Sequence, residues 1–99
     1  MRFGLSLGLV IALGGPAVAG PIESACLGSE RSGGDRALCG CIQQVADMTL
    51  TGADQRLAAR FFSDPDRAQE IRQSNRRSHE AFWQRYKNFG ATAEVSCGG

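Results

Sequence analysis

The stretch Leu38-Cys39-Gly40-Cys41-Ile42 places two cysteines one residue apart, and it constrains this chain more than any other feature. The other two cysteines, Cys26 and Cys97, lie on either side of it in the sequence. On a helix, residues two apart point in directions that differ by about 200°, so Cys39 and Cys41 leave opposite sides. Their Cβ atoms then cannot converge to the roughly 3.8 Å that a disulfide needs. If the segment is helical, each of the two cysteines must bond to a distant partner.

With all four cysteines bonded, we prefer the pairing Cys26–Cys39 with Cys41–Cys97. The residues that immediately precede the helix reach its first turn most easily, which favours Cys26 as the partner of Cys39. The crossed pairing of the same four residues stays open. On the loop-closure argument, bridges over loops of these lengths contribute roughly 3 and 4 kcal/mol. Because a domain is stable by only about 5–15 kcal/mol, these bridges would decide whether the fold survives.

Two other chemistries are open for Cys39 and Cys41. A strained small-ring disulfide between them would be oxidising, as a thiol–disulfide catalyst requires, and Gly40 would supply the flexibility. The nearest cation that could stabilise a thiolate is Arg36, and no Lys or His adjoins the pair. Thiolates also bind copper and zinc, but His79 is far along the chain and no second ligand pair is present. We predict no metal site, no cofactor and no catalytic residue.

The first nineteen residues have the order of parts of a secretory signal peptide. Arg2 precedes an uncharged apolar stretch from Phe3 to Leu13, and the small-residue triplet Ala17-Val18-Ala19 follows a Gly-Gly-Pro breaker. We expect cleavage before Gly20. A spanning helix needs about 20 solidly apolar residues, and the glycines and proline interrupt this stretch. The sequence therefore predicts a periplasmic protein, secreted through the inner membrane, that is not inserted in the membrane after cleavage.

Removal of residues 1–19 from the 99-residue chain leaves 80 residues with ten basic and ten acidic side chains. A chain near neutrality has no electrostatic reason to bind nucleic acid or an anionic membrane. Eighty residues also bury only a modest core, which is marginal without additional cross-links. Four cysteines in an exported chain supply such cross-links.

The sequence predicts an all-α fold of three or four short helices, with a leader loop over residues 20–34 and a helical domain over residues 35–99. No stretch shows sustained apolar–polar alternation. Asp35 is the expected N-cap of the first helix, which ends at Thr49 or Leu50. Its expected inner face is made of Leu38, Ile42, Val45 and Thr49, with Cys41 and Met48 beside it, while Gln43 and Gln44 are left for solvent.

Thr51, with Asp54 three residues on, has the pattern of a capping box for a second helix that ends near Phe62. Its inward side chains are expected to be Ala53, Leu57, Ala58 and Phe61. Asp64 is the next expected N-cap, followed by Pro65 at the first helical position. The helix after Pro65 could run unbroken to Phe89, but the stretch from Gln73 to Glu80 has no large apolar residue. We therefore prefer a break near Asn75, which gives helices Asp66–Ser74 and Ser78–Phe89, the latter closed by a left-handed Gly90.

Aromatic and arginine side chains suggest a surface that meets a partner. Of each adjacent aromatic pair on a helix, one member faces the core and the other lies at its margin. Like-charged arginines at helical spacing repel one another slightly and favour an anionic partner. Ordinary core packing and a solvated face, with Glu70 and Glu80 as internal ion-pair partners, are the alternative. The candidate surface residues are Phe62, Trp83, Tyr86, Arg72, Arg76 and Arg77.

The chain resembles a family of small exported proteins of alphaproteobacteria that are often labelled "arginine transporter". Three stretches carry the resemblance: residues 38–43, residues 54–65, and the end of the chain from Glu80 with Phe89-Gly90 and Cys97. The label implies transport, but one removable apolar segment cannot form a permeation path. An accessory role that holds a guanidinium group is compatible with the size of the chain, and its acidic cluster is Asp64, Asp66 and Glu70.

No phosphate-binding loop, metalloprotease helix or nucleophile elbow occurs in the sequence. The function that the sequence favours is therefore a binding or interaction module without catalysis, either a monomer that binds a protein partner or a weak homodimer. A thiol–disulfide redox protein using Cys39 and Cys41 is one alternative. An accessory protein of arginine transport is the other.

Overall fold

The computed structural model describes residues 20–29 and 35–98, and it is helical without a strand over these ranges. Five helices follow one another in the described residues: α1 Pro21–Leu27, α2 Arg36–Thr49, α3 Gly52–Ser63, α4 Pro65–Gln73 and α5 Arg77–Cys97. The all-α prediction is confirmed, with one helix more than expected. The predicted signal peptide, residues 1–19, and residues 30–34 of the predicted leader lie outside the described residues.

The additional helix is α1, and it corrects the prediction of a leader loop at residues 20–34. Pro21 occupies the first turn, where its fixed φ suits a helix, and Glu23 lies where the helix dipole favours an acid. Ile22 and Cys26, four residues apart, are both buried. The helix packs against α2 and α3. Seven residues are too few for apolar periodicity to be recognised in the sequence. A helix this short is stabilised mainly by its tertiary contacts, here with α2 and α3.

The N-caps of α2 and α3 form as predicted. The Leu38 N–H donates to Asp35 Oδ1 at 3.0 Å. The Asp54 N–H donates to Thr51 Oγ1 at 3.1 Å, and the Thr51 N–H donates back to Asp54 Oδ2 at 3.5 Å, which completes a capping box. Helix α2 ends at Thr49. These caps satisfy backbone donors that a helix leaves open at its start.

The predicted break between the last two helices is confirmed, and its bounds differ from the predicted ones by one residue on each side. Helix α4 ends at Gln73 and α5 begins at Arg77. In between, the Arg76 N–H donates to Ser74 Oγ at 3.1 Å. Arg76 is the N-cap of α5, and no side chain caps that helix. Pro65 begins α4 as expected, whereas the Asp64 side chain makes no capping hydrogen bond.

Helix α5 continues through Gly90 to Cys97, so the predicted end at Phe89 is wrong. The left-handed residue that closes the helix is Gly98, with φ of 83°. Ala93 and Cys97 pack against the core beyond Gly90. These contacts and the bond to Cys97 outweigh the cost of about 1 kcal/mol for a glycine inside a helix.

The disulfides are Cys26–Cys39 and Cys41–Cys97, which is the preferred pairing. Their Cα–Cα distances are 5.6 Å and 5.8 Å, ordinary values for a disulfide. The first bridge joins α1 to α2, and the second joins α2 to the end of α5. The two cysteines of α2 leave opposite sides of the helix, as the 200° argument requires.

The hydrophobic core lies where α1 packs on α2 and α3 and where α5 packs on α2, and α4 packs on α3 and α5. Two predictions about its members are wrong. Ala53 is exposed, and Met48 is 73% exposed, because the face of α2 that meets the core is turned toward Cys39, Val45 and Ala46. The buried apolar side chains of the core are Ile22, Val45, Ala46, Leu50, Ala58, Phe61, Ile71, Phe82 and Phe89.

Gln43 is buried, contrary to the prediction that it faces solvent. Its Oε1 accepts from the Glu23 N–H at 2.8 Å. Its Nε2 donates to Asp47 Oδ1 and to Gln55 Oε1, both at 2.8 Å. A Cβ at Gly20 would overlap with the end of the Gln43 side chain, which would have to shift. Gln43 thus joins α1, α2 and α3 through polar atoms that are satisfied inside the protein.

Replacement of Gln43 by leucine, a side chain of similar size, should destabilise the fold by about 2 kcal/mol. It leaves the Glu23 N–H and the Gln55 Oε1 without these partners, and a buried unsatisfied group costs about 1–3 kcal/mol. Gln44→Leu is the matched control, because Gln44 is the exposed neighbour on the same helix. Urea unfolding followed by circular dichroism measures both. Equal midpoints for the two variants would contradict the role given to Gln43.

Candidate functional site

Five aromatic rings hold helix α5 against helix α3. Tyr86 stands at the centre, with ring centroids 5.1 Å from Phe61 and 5.2 Å from Trp83. It also lies 5.8 Å from Phe82 and 5.9 Å from Phe89. Phe61 meets both Phe82 and Tyr86 edge to face, an arrangement that aromatic quadrupoles favour. The cluster fixes Trp83, which is half-buried at its margin.

Beside this cluster, an open groove of about 610 Å³ lies between the end of α4 and the first turns of α5. Ile71, itself buried, Ala81 and Trp83 supply its apolar lining. The polar lining side chains are Arg72, Arg77, Glu80 and Gln84. We call this feature the Trp83 groove. An apolar surface with a few polar groups at its margin is the usual chemistry of a binding site.

The two arginines of the Trp83 groove form no ion pair with any carboxylate in residues 20–29 and 35–98. The Arg72 guanidinium donates to Gln69 Oε1, at 3.3 Å from Nε and 2.9 Å from Nη2. That acceptor is neutral, so it leaves the charge of Arg72 uncompensated. Arg77 is exposed in the first turn of α5. The guanidinium groups are therefore available to an anionic partner.

The internal ion pairs that the sequence offered as an alternative do not form in the described part of the chain. Glu70 pairs with Arg67 at 2.9 Å, and no ion pair joins the side chains of Glu80 and Arg76. Arg72 and Glu70 are two residues apart on α4, and side chains at that spacing do not face each other on a helix.

The six residues of the predicted partner surface do not lie together. Trp83, Arg72 and Arg77 line the Trp83 groove. Arg76 is exposed at the N-cap of α5, next to that groove but not in its lining. Tyr86 is half-buried inside the aromatic cluster. Phe62 lines a different cavity of about 230 Å³, together with Ala25, Gly28, Ser29, Ala59 and Ser63.

A bidentate ion pair joins α5 to α3 outside the Trp83 groove. Arg85 Nε donates to Asp54 Oδ2 at 2.6 Å, and Arg85 Nη2 donates to Asp54 Oδ1 at 3.0 Å. The Arg85 guanidinium lowers the pKa of the Asp54 carboxyl below its ordinary value, and burial opposes this effect. Sequence reasoning recognised Asp54 only as a capping residue. Arg85 is 31 positions away, and no local pattern links the two.

The other predicted chemistries find little support in the described residues. Cys39 is bonded to Cys26 and Cys41 to Cys97, so no Cys39–Cys41 dithiol is present. No group of three or more His, Cys, Asp or Glu side chains that could hold a metal ion occurs within residues 20–29 and 35–98. His79 Nδ1 lies 2.7 Å from Ser74 Oγ, at the break.

The acidic cluster suggested for a guanidinium ligand is exposed at the start of α4. Asp64 and Asp66 flank Pro65, and Glu70 is one turn further on. Glu70 already forms an ion pair with Arg67. An added arginine could therefore contact all three carboxylates only by displacing Arg67 from Glu70.

Comparison with protein-family models, with curated proteins and with solved structures found no match for this chain. The resemblance to small exported alphaproteobacterial proteins stays a prediction. None of the helices in residues 20–29 and 35–98 has both the length and the apolar character needed to cross a bilayer. The two disulfides are typical of proteins that fold outside the cytoplasm.

Substitution of Asp54 by asparagine should destabilise the fold by about 1–2 kcal/mol near pH 7, since a hydrogen bond to a charged group is worth that order of energy. The pKa of Asp54 is lowered in the folded state, so its contribution is present above the unfolded value of about 3.9 and is lost as the pH falls through the folded pKa. The difference between wild type and Asp54→Asn should therefore shrink below about pH 4.

Urea midpoints measured between pH 7 and pH 2.5 test this prediction. Asp66→Asn is the control, because Asp66 is an exposed acid near the start of α4 that makes no ion pair with a described residue. Its midpoints should follow those of wild type at every pH. A stability difference for Asp54→Asn that persists unchanged at pH 2.5 would show that the ion pair is not its cause.

Proposed function

We propose that this protein is a small periplasmic binding module that holds a segment of a partner protein in the Trp83 groove. The observation that carries the proposal is the combination of two arginines that have no carboxylate partner among the described residues and an apolar lining of Ile71, Ala81 and Trp83. Tryptophan and arginine are the residues most enriched at the energetic centres of protein interfaces. The groove offers both within one turn of α5 and the facing end of α4.

The charge around the groove favours an acidic partner. Arg72, Arg76 and Arg77 contribute three positive charges, and Glu80 contributes one negative charge. A guanidinium group can bind a carboxylate through two parallel hydrogen bonds, which gives direction as well as affinity. The matching ligand is a peptide segment in which acidic side chains alternate with apolar ones.

The size of the groove favours a weak and reversible complex. About 610 Å³ accommodates a few side chains and not a whole helix. A contact made by a few side chains buries a small area, and interfaces of small buried area belong to transient complexes. We therefore expect dissociation constants in the micromolar range, about 1–100 μM. Export by the predicted signal peptide would bring the module to partners in the periplasm, where its disulfides persist.

The rival functions receive no comparable support. A redox catalyst needs a dithiol at Cys39 and Cys41, and both are bonded to distant cysteines. An arginine-binding accessory needs a cluster of free acidic groups, and one of the three candidates, Glu70, is paired with Arg67. A melting experiment with millimolar arginine, with lysine as the control, tests the second rival directly.

Fluorescence titration tests the proposed function, because Trp83 is the only tryptophan of the chain and reports on the groove itself. The ligand is a capped peptide of alternating glutamate and leucine, and a peptide with lysine in place of glutamate is its control. We expect a saturable change in Trp83 emission with the acidic peptide alone. Arg72→Gln combined with Arg77→Gln should weaken binding about tenfold or more, the loss expected for about 1.4 kcal/mol of charge-assisted bonding.

The matched control is Arg56→Gln with Arg60→Gln, which removes two exposed arginines from α3 and leaves the groove intact. This variant has the same net charge as the first and should bind within about twofold of wild type. Equal weakening in both variants would mean that only the overall charge attracts the peptide. Absence of any emission change with either peptide would reject the Trp83 groove as the binding site.

A further inference from the structure

The two disulfides of this protein have different environments. Cys26 is 2% exposed and Cys39 is fully buried. Cys41 and Cys97 are only partly buried, and both line an open groove of about 480 Å³ together with Asp35, Leu38, Ser96 and Gly98. Thiol–disulfide exchange requires a thiolate to approach a disulfide sulfur directly, so access controls its rate. The native fold exposes one bridge to such an attack and shields the other.

The segment that Cys97 holds has no fully buried side chain. Phe89 is the last buried residue of the described chain, and residues 90–98 include none. Val95 is 87% exposed, and nothing lies near the position that a Cβ on Gly90 would take. Segments with few buried apolar contacts and exposed backbone hydrogen bonds open locally at low cost. Apart from the partly buried Ala93, the Cys41–Cys97 bond is therefore the main constraint on the last two turns of α5.

We propose that Cys41–Cys97 is a thiol–disulfide exchange site for an exported dithiol, and that its reduction releases residues 90–97 from α2 while the rest of the domain stays folded. The thiolate of the dithiol attacks one sulfur of the bridge, which forms a mixed disulfide and expels the other sulfur as a thiolate that takes up a proton. The second thiol of the dithiol then displaces the protein sulfur. The protein disulfide is reduced to two thiols, and the dithiol is oxidised to a disulfide.

This role differs from that of a redox catalyst at Cys39-Gly40-Cys41. The buried Cys26–Cys39 bridge keeps α1 on α2 throughout, and only the C-terminal turns of α5 respond. The aromatic cluster around Tyr86 and the Arg85–Asp54 ion pair continue to hold the first part of α5 on α3. The site is independent of the Trp83 groove, because none of the residues that line the one lines the other.

Limited reduction of the oxidised full chain tests the proposal. The probe is dithiothreitol at neutral pH without denaturant, followed by alkylation and peptide mass mapping. We expect labels on Cys41 and Cys97 to appear about tenfold faster, or more, than labels on Cys26 and Cys39. In denaturant the two bridges should be reduced at similar rates. Equal rates in the native protein, or earlier reduction of Cys26–Cys39, would overturn the proposal.

Hydrogen exchange on the half-reduced species tests the structural consequence. Protection of residues 90–97 should fall by about tenfold or more, while residues 52–63 of α3 keep theirs. The variant Cys41→Ser with Cys97→Ser provides the same open state without a reductant and should give the same pattern. Unchanged protection at residues 90–97 would overturn the proposal. So would loss of protection across all helices of the half-reduced protein, since the bridge would then support the whole fold.

Discussion

The opposite directions in which Cys39 and Cys41 leave α2 determine how this small domain is assembled. One bond holds α1 and the other holds the end of α5, so a single helix becomes the element to which both ends of the described chain are tied. The two bridges have sequence separations of 13 and 56. In the loop-closure model they lower the conformational entropy of the unfolded chain and so stabilise the fold by roughly 3 and 4 kcal/mol. For a core of nine buried apolar side chains, that contribution is comparable with the whole stability of a domain.

The polar interior gives this cross-linked core a specific arrangement. Gln43 connects three helices through hydrogen bonds, and Asp54 binds Arg85 across the α3–α5 contact. A disulfide limits distance but does not fix the rotation of a helix about its axis. Buried polar groups do, because a rotated helix would leave their donors and acceptors unpaired at a cost of 1–3 kcal/mol each, in order of magnitude. The bridges and the polar contacts therefore constrain different degrees of freedom.

The features that could be predicted from the sequence are those that depend on residues close together in the chain. The caps at Asp35 and Thr51, the start at Pro65 and the divergence of Cys39 and Cys41 each depend on a few neighbouring residues. Helix α1, the continuation past Gly90 and the burial of Gln43 depend on contacts between distant segments, so periodicity and propensity assigned them wrongly. The candidate site divides in the same way. Trp83 could be predicted as an aromatic residue at the margin of the core. The groove beside it could not, because it depends on how α4 and α5 are oriented relative to each other.

The break between α4 and α5 divides the end of the chain into two helices, and the candidate site lies between them. Its polar residues cannot bury a face, so the helix ends at Gln73 and resumes at Arg77. The turn folds α5 back onto α4 and sets Arg72 and Arg77 on two sides of one groove. From there α5 extends 21 residues, about 30 Å, to Cys97. Buried Phe82 and Phe89 anchor the helix between its two ends. None of the residues that line the Trp83 groove lines the groove beside Cys41–Cys97, so we expect the proposed binding at one end and the proposed disulfide exchange at the other to act separately.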